Sequence, residues 1–126
     1  MMRVPFLDLT RIHKPLGRSF HQVLLKAIKN SRFVGGEEVE SFEREFAEFC
    51  GTKYSVGVSS GTDALRLALL AGGVKPGDTV ITCVNTFFAT VEAIVQAGCD
   101  FVLVDISPKS GMIDLGDLDR KITAKT

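Results

Sequence analysis

From Tyr54 onward the chain alternates between short apolar or β-branched runs and helical stretches, and this alternation restricts the fold more than any other feature. Tyr54 to Val58 reads as a strand, and Thr62 to Ala71 as a helix closed by Gly72-Gly73. Pro76-Gly77-Asp78 is a turn, and Thr79 to Cys83 is a second strand. A helix follows from Thr86 or Phe87 to Ala97, with Gly98 at its carboxyl cap. Phe101 to Val104 is a third strand ending at Asp105, and a short helix spans Leu115 to Ile122. This βαβαβ order implies an α/β fold with a parallel sheet and right-handed crossovers. The strands are nearly continuously apolar, as a sheet covered on both faces requires. Three strands make a small sheet whose edges need partners. Residues Lys121 to Thr126 show no closing element, so the expectation is the amino-terminal part of something larger.

Before Tyr54 the pattern is helical. Residues 1–16 are expected to be irregular, with Pro5 and Pro15 as breakers. Phe20, Val23, Leu24, Ala27 and Ile28 then form an amphipathic stripe that Asn30-Ser31 ends. After a turn at Gly35-Gly36, a second helix is expected from Glu37 to Cys50, with Val39, Phe42, Phe46 and Phe49 on one face. Glu37, Glu38 and Glu40 suit its positive end, and Gly51 stops it. The expected division is an N-terminal helical arm, 1–52, and a partial βαβαβ domain, 53–126.

Composition narrows the function classes. A chain of 126 residues, 45% apolar and 24% charged, is long enough for one globular core. Fifteen basic residues balance fifteen acidic ones, so no charge draws it to nucleic acid or an anionic membrane. The longest apolar stretch, Ala64 to Val74, carries Arg66, Gly72 and Gly73 and is too short to span a bilayer. Met1 to Leu9 reaches Asp8 before an apolar run develops, so no signal peptide is expected. Cys50, Cys83 and Cys99 are odd in number and lack CxxC spacing, which favours reduced thiols in a cytoplasmic protein over disulfides or a zinc site. No cluster has metal-ligand spacing, and His13 and His21 stand alone.

The sharpest chemical feature is Ser59-Ser60-Gly61-Thr62-Asp63-Ala64-Leu65, which joins a strand to a helix. In open parallel sheets ligands sit at that edge. The first N–H groups of the helix, from Gly61, Thr62 and Asp63, lack intrahelical partners and suit an anion, most naturally a phosphate. Gly61 admits close approach, and the Ser60 and Thr62 hydroxyls can add bonds. Ser60-x-x-Asp63 also fits a plain capping box, with Asp63 reaching back to the Ser60 amide; cap and phosphate site can coexist. The segment is neither a Walker loop nor GxGxxG. Asn85-Thr86-Phe87-Phe88-Ala89-Thr90 opens the next helix. One of its phenylalanines is expected in the core and the other can lie over a flat ligand ring. Asp105 suits a turn, and Cys83 a buried strand position.

Further segments fall in a fixed order with these: Phe6-Leu7-Asp8-Leu9, Phe33-Val34-Gly35-Gly36 with Val39, Phe42-Glu43-Arg44-Glu45-Phe46-Ala47, Pro76-Gly77-Asp78-Thr79-Val80-Ile81 and Val104-Asp105-Ile106. Together they resemble the DegT/DnrJ/EryC1/StrS family of pyridoxal-phosphate-dependent sugar aminotransferases over residues 4 to 126. The resemblance implies the N-terminal part of the aspartate-aminotransferase (fold type I) large domain, a parallel sheet flanked by helices. It implies a homodimer that moves an amino group from glutamate to a nucleotide-linked keto-sugar, for polysaccharide, lipopolysaccharide or amino-sugar biosynthesis. It also assigns cofactor binding to Ser60, Gly61, Thr62 and Phe87, with Phe87 stacking on the pyridine ring. Ser107-Pro108 departs from the family's more acidic pattern, so Asp105 is not expected to touch the cofactor.

The family's Schiff-base lysine, and the Asp that pairs with the pyridine nitrogen, match no position here. Lys14, Lys26, Lys29, Lys53, Lys75, Lys109, Lys121 and Lys125 all fall elsewhere. The expectation is therefore roughly the first third of an enzyme, with no catalytic residue of its own and no turnover alone. Two alternatives remain open: a sugar dehydratase of the same family, in which His replaces the lysine, and a truncated, non-catalytic interaction module. A dinucleotide-binding domain lacks its glycine fingerprint.

Overall fold

A computed structural model of the chain describes residues 4–126. The chain divides into two compact units, the first ending at Gly57 and the second running from Val58 to Thr126. No helix among the described residues is long and apolar enough to cross a membrane.

The first unit holds helices α1 (Thr10–Asn30) and α2 (Glu37–Cys50). α1 begins well before the irregular stretch was expected to end, with Pro15 inside it. The apolar series explains this, because Ile12 and Leu16 continue the stripe of Phe20, Val23 and Leu24 upstream at helical spacing. Pro15 removes one amide donor near the start, a local cost that the rest of a long helix tolerates. Asp8 helps to start α1 by accepting the Thr10 N–H at 3.1 Å as well as the Thr10 hydroxyl. Ser31 closes the helix in the left-handed region at φ 51°.

α2 has the expected bounds. Its first turn carries Glu37, Glu38 and Glu40, and Gly51 ends it at φ 66°. Phe42, Phe46 and Phe49 stack in series, with ring centroids 5.4 and 6.2 Å apart. Glu43 accepts the Gly57 N–H at 2.6 Å. A Cβ on Gly57 would lie 3.3 Å from that carboxylate and 3.4 Å from Val39, so glycine permits the close approach. The strand expected at Tyr54–Val58 does not form. This backbone has no sheet partner among the described residues, and Tyr54 and Val56 are about three-quarters exposed. Apolar alternation licenses a strand only where a second chain segment receives its hydrogen bonds.

The second unit contains α3 (Gly61–Ala71), β1 (Thr79–Cys83), α4 (Phe88–Gln96), β2 (Asp100–Val104) and α5 (Leu115–Lys121). β1 and β2 pair in parallel, with Thr79 opposite Asp100 and Cys83 opposite Val104, so the sheet has two strands instead of three. Lys75 to Asp78 forms the turn before β1. Gly77 takes φ 89° there, and the Asp78 N–H donates to the Lys75 carbonyl at 3.0 Å. α4 is the hub, packing on α3 and on both strands. Ala89 and Ala93 lie buried along it, with Ala97 just beyond its end. This spacing of four keeps one face small, so that neighbouring backbones approach closely. Ile94, Ala97 and Cys99 form the buried core, with Leu69, Val74 and Val80 packed against them. All three thiols are free: Cys99 is buried, Cys83 only half-buried rather than interior, and Cys50 exposed. The sheet faces are only partly covered, and most of β2 is exposed.

β2 ends in a polar clasp. Asp117 of α5 accepts the Asp105 N–H at 2.9 Å, Lys121 Nζ at 2.8 Å and Arg120 at 3.1 Å. Lys121 also donates to the Leu103 carbonyl at 2.8 Å, and Asp114 caps α5 by accepting the Asp117 N–H at 2.8 Å. Asp105 is not the turn residue expected: it lies between β2 and the antiparallel bridge of Ile106 with Ile113, and its carboxylate accepts the Ile106 N–H at 2.7 Å. The Lys121 ammonium, with help from the Asp105 amide, lowers the Asp117 carboxyl from 3.8 to about 2. A lowered native pKa stabilises the fold above the unfolded value of 3.8 and loses that contribution as pH falls through about 2. Denaturant midpoints of the native protein and Asp117→Asn should therefore differ most near neutral pH and converge towards about pH 2. A gap that stays constant through that window would show that Asp117 is not the titrating group.

Candidate functional site

The site begins with how α3 starts. Ser60 has extended backbone, φ −162° and ψ 167°, and its Oγ accepts the Asp63 N–H at 3.1 Å. Its carbonyl accepts the Ala64 N–H at 3.0 Å. One of the three amides expected to be open, that of Asp63, is therefore taken up by the cap. The amides of Gly61 and Thr62 have no acceptor among the described residues. They sit at the positive end of an 11-residue helix.

Only half of the expected capping box forms. The Asp63 carboxylate turns away from the Ser60 amide and accepts the Ser59 hydroxyl at 2.5 Å and Arg66 at 3.3 Å. Ser59 first, then Arg66, hold the Asp63 carboxyl below the usual carboxylate range. Asp63 therefore stays ionised, with Arg66 as its counter-charge.

These amides border a groove of about 540 Å³ lined by Gly61, Thr62, Ala64 and Leu65 of α3 and by Phe87, Ala89 and Thr90 at the start of α4. A Cβ built on Gly61 meets no atom within 4 Å, and the residue has no positive φ. Neither strain nor crowding within the chain requires glycine here; what its missing side chain leaves is open space before two free N–H donors. Phe87 forms the opposite wall. Its ring is 79% exposed, and that of Phe88 is 72% exposed. The expectation that one of the two is buried is therefore corrected. Phe87 is the N-cap and Phe88 the first residue of α4, and at a helix start neither has a preceding turn to pack beneath.

The structure thus brings Gly61, Thr62 and Phe87 to one groove, while Ser60 stands behind it as the cap. Sequence reading did not assign Leu65 or Thr90, which also line it. The signal for Thr90 was its spacing of four from Thr86, since the two hydroxyls bond at 2.8 Å. Chemically, paired amides at a helix start hold a phosphate, and an exposed aromatic wall holds a flat ring. A second groove, of about 420 Å³ in the first unit, mixes Glu40, Glu43 and Glu48 with Arg44 and Lys53 and lacks such convergent donors. Among the described residues, no group of three or more His, Cys, Asp or Glu side chains could hold a metal ion.

Residues 15–126 match the DegT/DnrJ/EryC1/StrS aminotransferase family. The chain is 40% identical over 125 residues to a "pleiotropic regulatory protein" of Geobacillus stearothermophilus, covering 99% of this chain and 34% of that one. It is 37% identical over 123 residues to the dTDP-3-amino-3,6-dideoxy-alpha-D-galactopyranose transaminase of Aneurinibacillus thermoaerophilus, covering 98% and 34%. The crystal structure of NtdA from Bacillus subtilis with bound cofactor PMP superposes with a TM-score of 0.92 at 33% identity, over 100% of this chain and 29% of that one. The chain spans about a third of the length of the curated relatives it matches. Its fold is the expected amino-terminal part of a fold type I aminotransferase.

Ser60→Ala removes the only side-chain cap of α3. It should lower stability by about 1 kcal/mol, read as a shift in denaturant midpoint. No shift would mean that the cap bond contributes nothing to the helix start.

Proposed function

The chain belongs to the DegT/DnrJ/EryC1/StrS aminotransferase family, and on that premise we propose that it forms the phosphate-holding third of a pyridoxal-phosphate-dependent sugar aminotransferase. The substrate is a nucleotide-linked keto-sugar and the amino donor is glutamate. The products serve polysaccharide or amino-sugar biosynthesis. The enzyme is a homodimer working in the cytoplasm, and residues 53–126 carry the cofactor-binding part. The observation that carries this reading is the pair of free amides, Gly61 and Thr62, opening on a groove walled by Phe87.

The residues present fit the cofactor. Gly61 and Thr62 would donate their amides to its phosphate, with the Thr62 hydroxyl beside them, while Ser60 fixes the turn that aims them. The space a Cβ would fill at Gly61 is free for phosphate oxygens. Phe87 would lie against the flat ring and shield it from water on that side. Bound pyridoxal phosphate supplies the carbonyl group and electron sink through which an amino group is exchanged. No lysine lines the groove, so the reading places the covalent anchor and proton carrier outside these residues. It follows that residues 1–126 alone bind weakly and do not turn over.

Two predictions test this on the complete gene product, by titration with pyridoxal phosphate. Gly61→Val should weaken cofactor affinity at least about tenfold, the equivalent of one charge-assisted hydrogen bond. Its side chain meets open space in the protein, so the unfolding midpoint should barely change. Phe87→Ala should weaken affinity about two- to tenfold, the range of an aromatic stacking contact. Phe88→Ala should change it less, and the high exposure of that ring makes a large stability loss unexpected. Unaltered affinity in both Gly61→Val and Phe87→Ala would overturn the assignment, and the reverse ranking of the two phenylalanines would move the stacking role to Phe88.

A further inference from the structure

Phe87 occupies a position that ordinarily belongs to another kind of residue. It is the N-cap of α4, with φ −74° and ψ 146°, and that end has no side-chain cap. Ser, Thr, Asp or Asn at this position would accept a first-turn amide, and a phenyl ring cannot. The ring is instead presented to the groove and left exposed. A side chain so exposed is held in place only by its backbone and its immediate neighbours.

Those neighbours form a bracket. The Thr86 and Thr90 hydroxyls lie 2.8 Å apart, so the bond runs from the residue before Phe87 to the third residue of α4. The Thr90 N–H also donates to the Phe87 carbonyl at 3.0 Å. Threonine is stiff about χ1, so one bond between two such hydroxyls fixes both rotamers and the backbone between them. Thr90 lines the groove and Thr86 does not. A hydroxyl pair spanning the one aromatic residue of the groove, at a helix end that has given up its ordinary cap, has a use beyond helix stability.

We propose that the Thr86–Thr90 hydroxyl pair is a positioning device that sets the angle of the Phe87 ring against the flat ring of the bound cofactor. This rests on the reading of Phe87 as the stacking residue and deepens it. Neither threonine is assigned a role in the chemistry; each acts through Phe87.

The test is a double-mutant cycle on the complete gene product, with Thr86→Val and Phe87→Ala alone and together. The readouts are pyridoxal phosphate affinity and the visible-region circular dichroism of the bound cofactor, a signal that a purely structural role would leave unmoved. Thr86→Val should weaken affinity about fivefold, one ordinary hydrogen bond, and change the dichroic band. Thr86→Ser keeps the hydroxyl and should behave as the native protein. In the Phe87→Ala background, Thr86→Val should have no further effect. If the valine variant does not fold, Thr86→Ala removes the same hydroxyl with less bulk. An undiminished affinity, an unchanged band, or a full additional loss in the Phe87→Ala background would overturn the proposal. Should Phe87→Ala alone leave affinity unchanged, the stacking reading itself falls; should it weaken affinity while Thr86→Val and Thr86→Ala do not, only the positioning role falls.

Discussion

A helix cannot satisfy its own first amides, and this chain turns that constraint into its principal chemical feature. At the start of α3 the Ser60 hydroxyl takes one of the open donors and leaves those of Gly61 and Thr62 without an acceptor among the described residues, on two residues that line a groove. At the start of α4 the chain places an aromatic residue where a capping side chain would be expected. The two helix ends meet across the same groove because α3 and α4 pack together. The remainder of the second unit keeps them there: the parallel pairing of β1 with β2 sets where α4 can begin and return, and the Asp117 clasp fastens the far end of β2.

The interior that supports this is small. Half of its buried residues are alanines, with Ile94, Val104 and Cys99 supplying the bulk. Apolar faces remain open elsewhere. α1 has no buried residue, and its stripe from Ile12 to Ile28 is exposed except at half-buried Ala27. The phenylalanines of α2 stack on one another and stay largely uncovered. Short-range devices accordingly carry much of the local order: the left-handed closures at Ser31 and Gly51, the Glu43 bond to the Gly57 backbone, and the turn at Gly77.

Where local chemistry dictates structure, the sequence was legible. The β-branched run Thr79–Cys83 is a strand at those residues, and Glu37–Cys50 is a helix at those residues, between glycines that take positive φ. The Ser60 cap was also readable, from a serine three residues before Asp63 at a helix start, whereas the choice of Phe87 over Phe88 came from the family resemblance and not from spacing. What could not be read depends on groups distant in sequence. Tyr54–Val58 has the alternation of a strand but no sheet partner among the described residues. Pro15 looked like a breaker because its cost is local, whereas the stripe that outweighs it runs the whole length of α1. The burial of Phe87 or Phe88 depended on what lies above a helix end, and periodicity carries no information about that.

The alanine row of α4 has a consequence for how this molecule can vary. Ala93 is wholly enclosed, at a level where the helix rests on its neighbours with no slack. Enlarging it by even a methyl group would lift or tilt the whole rod, and the end carrying the phenyl ring would swing with it. The shape of the groove thus depends on a position that does not line it, and a larger residue there would cost stability as well as move the wall.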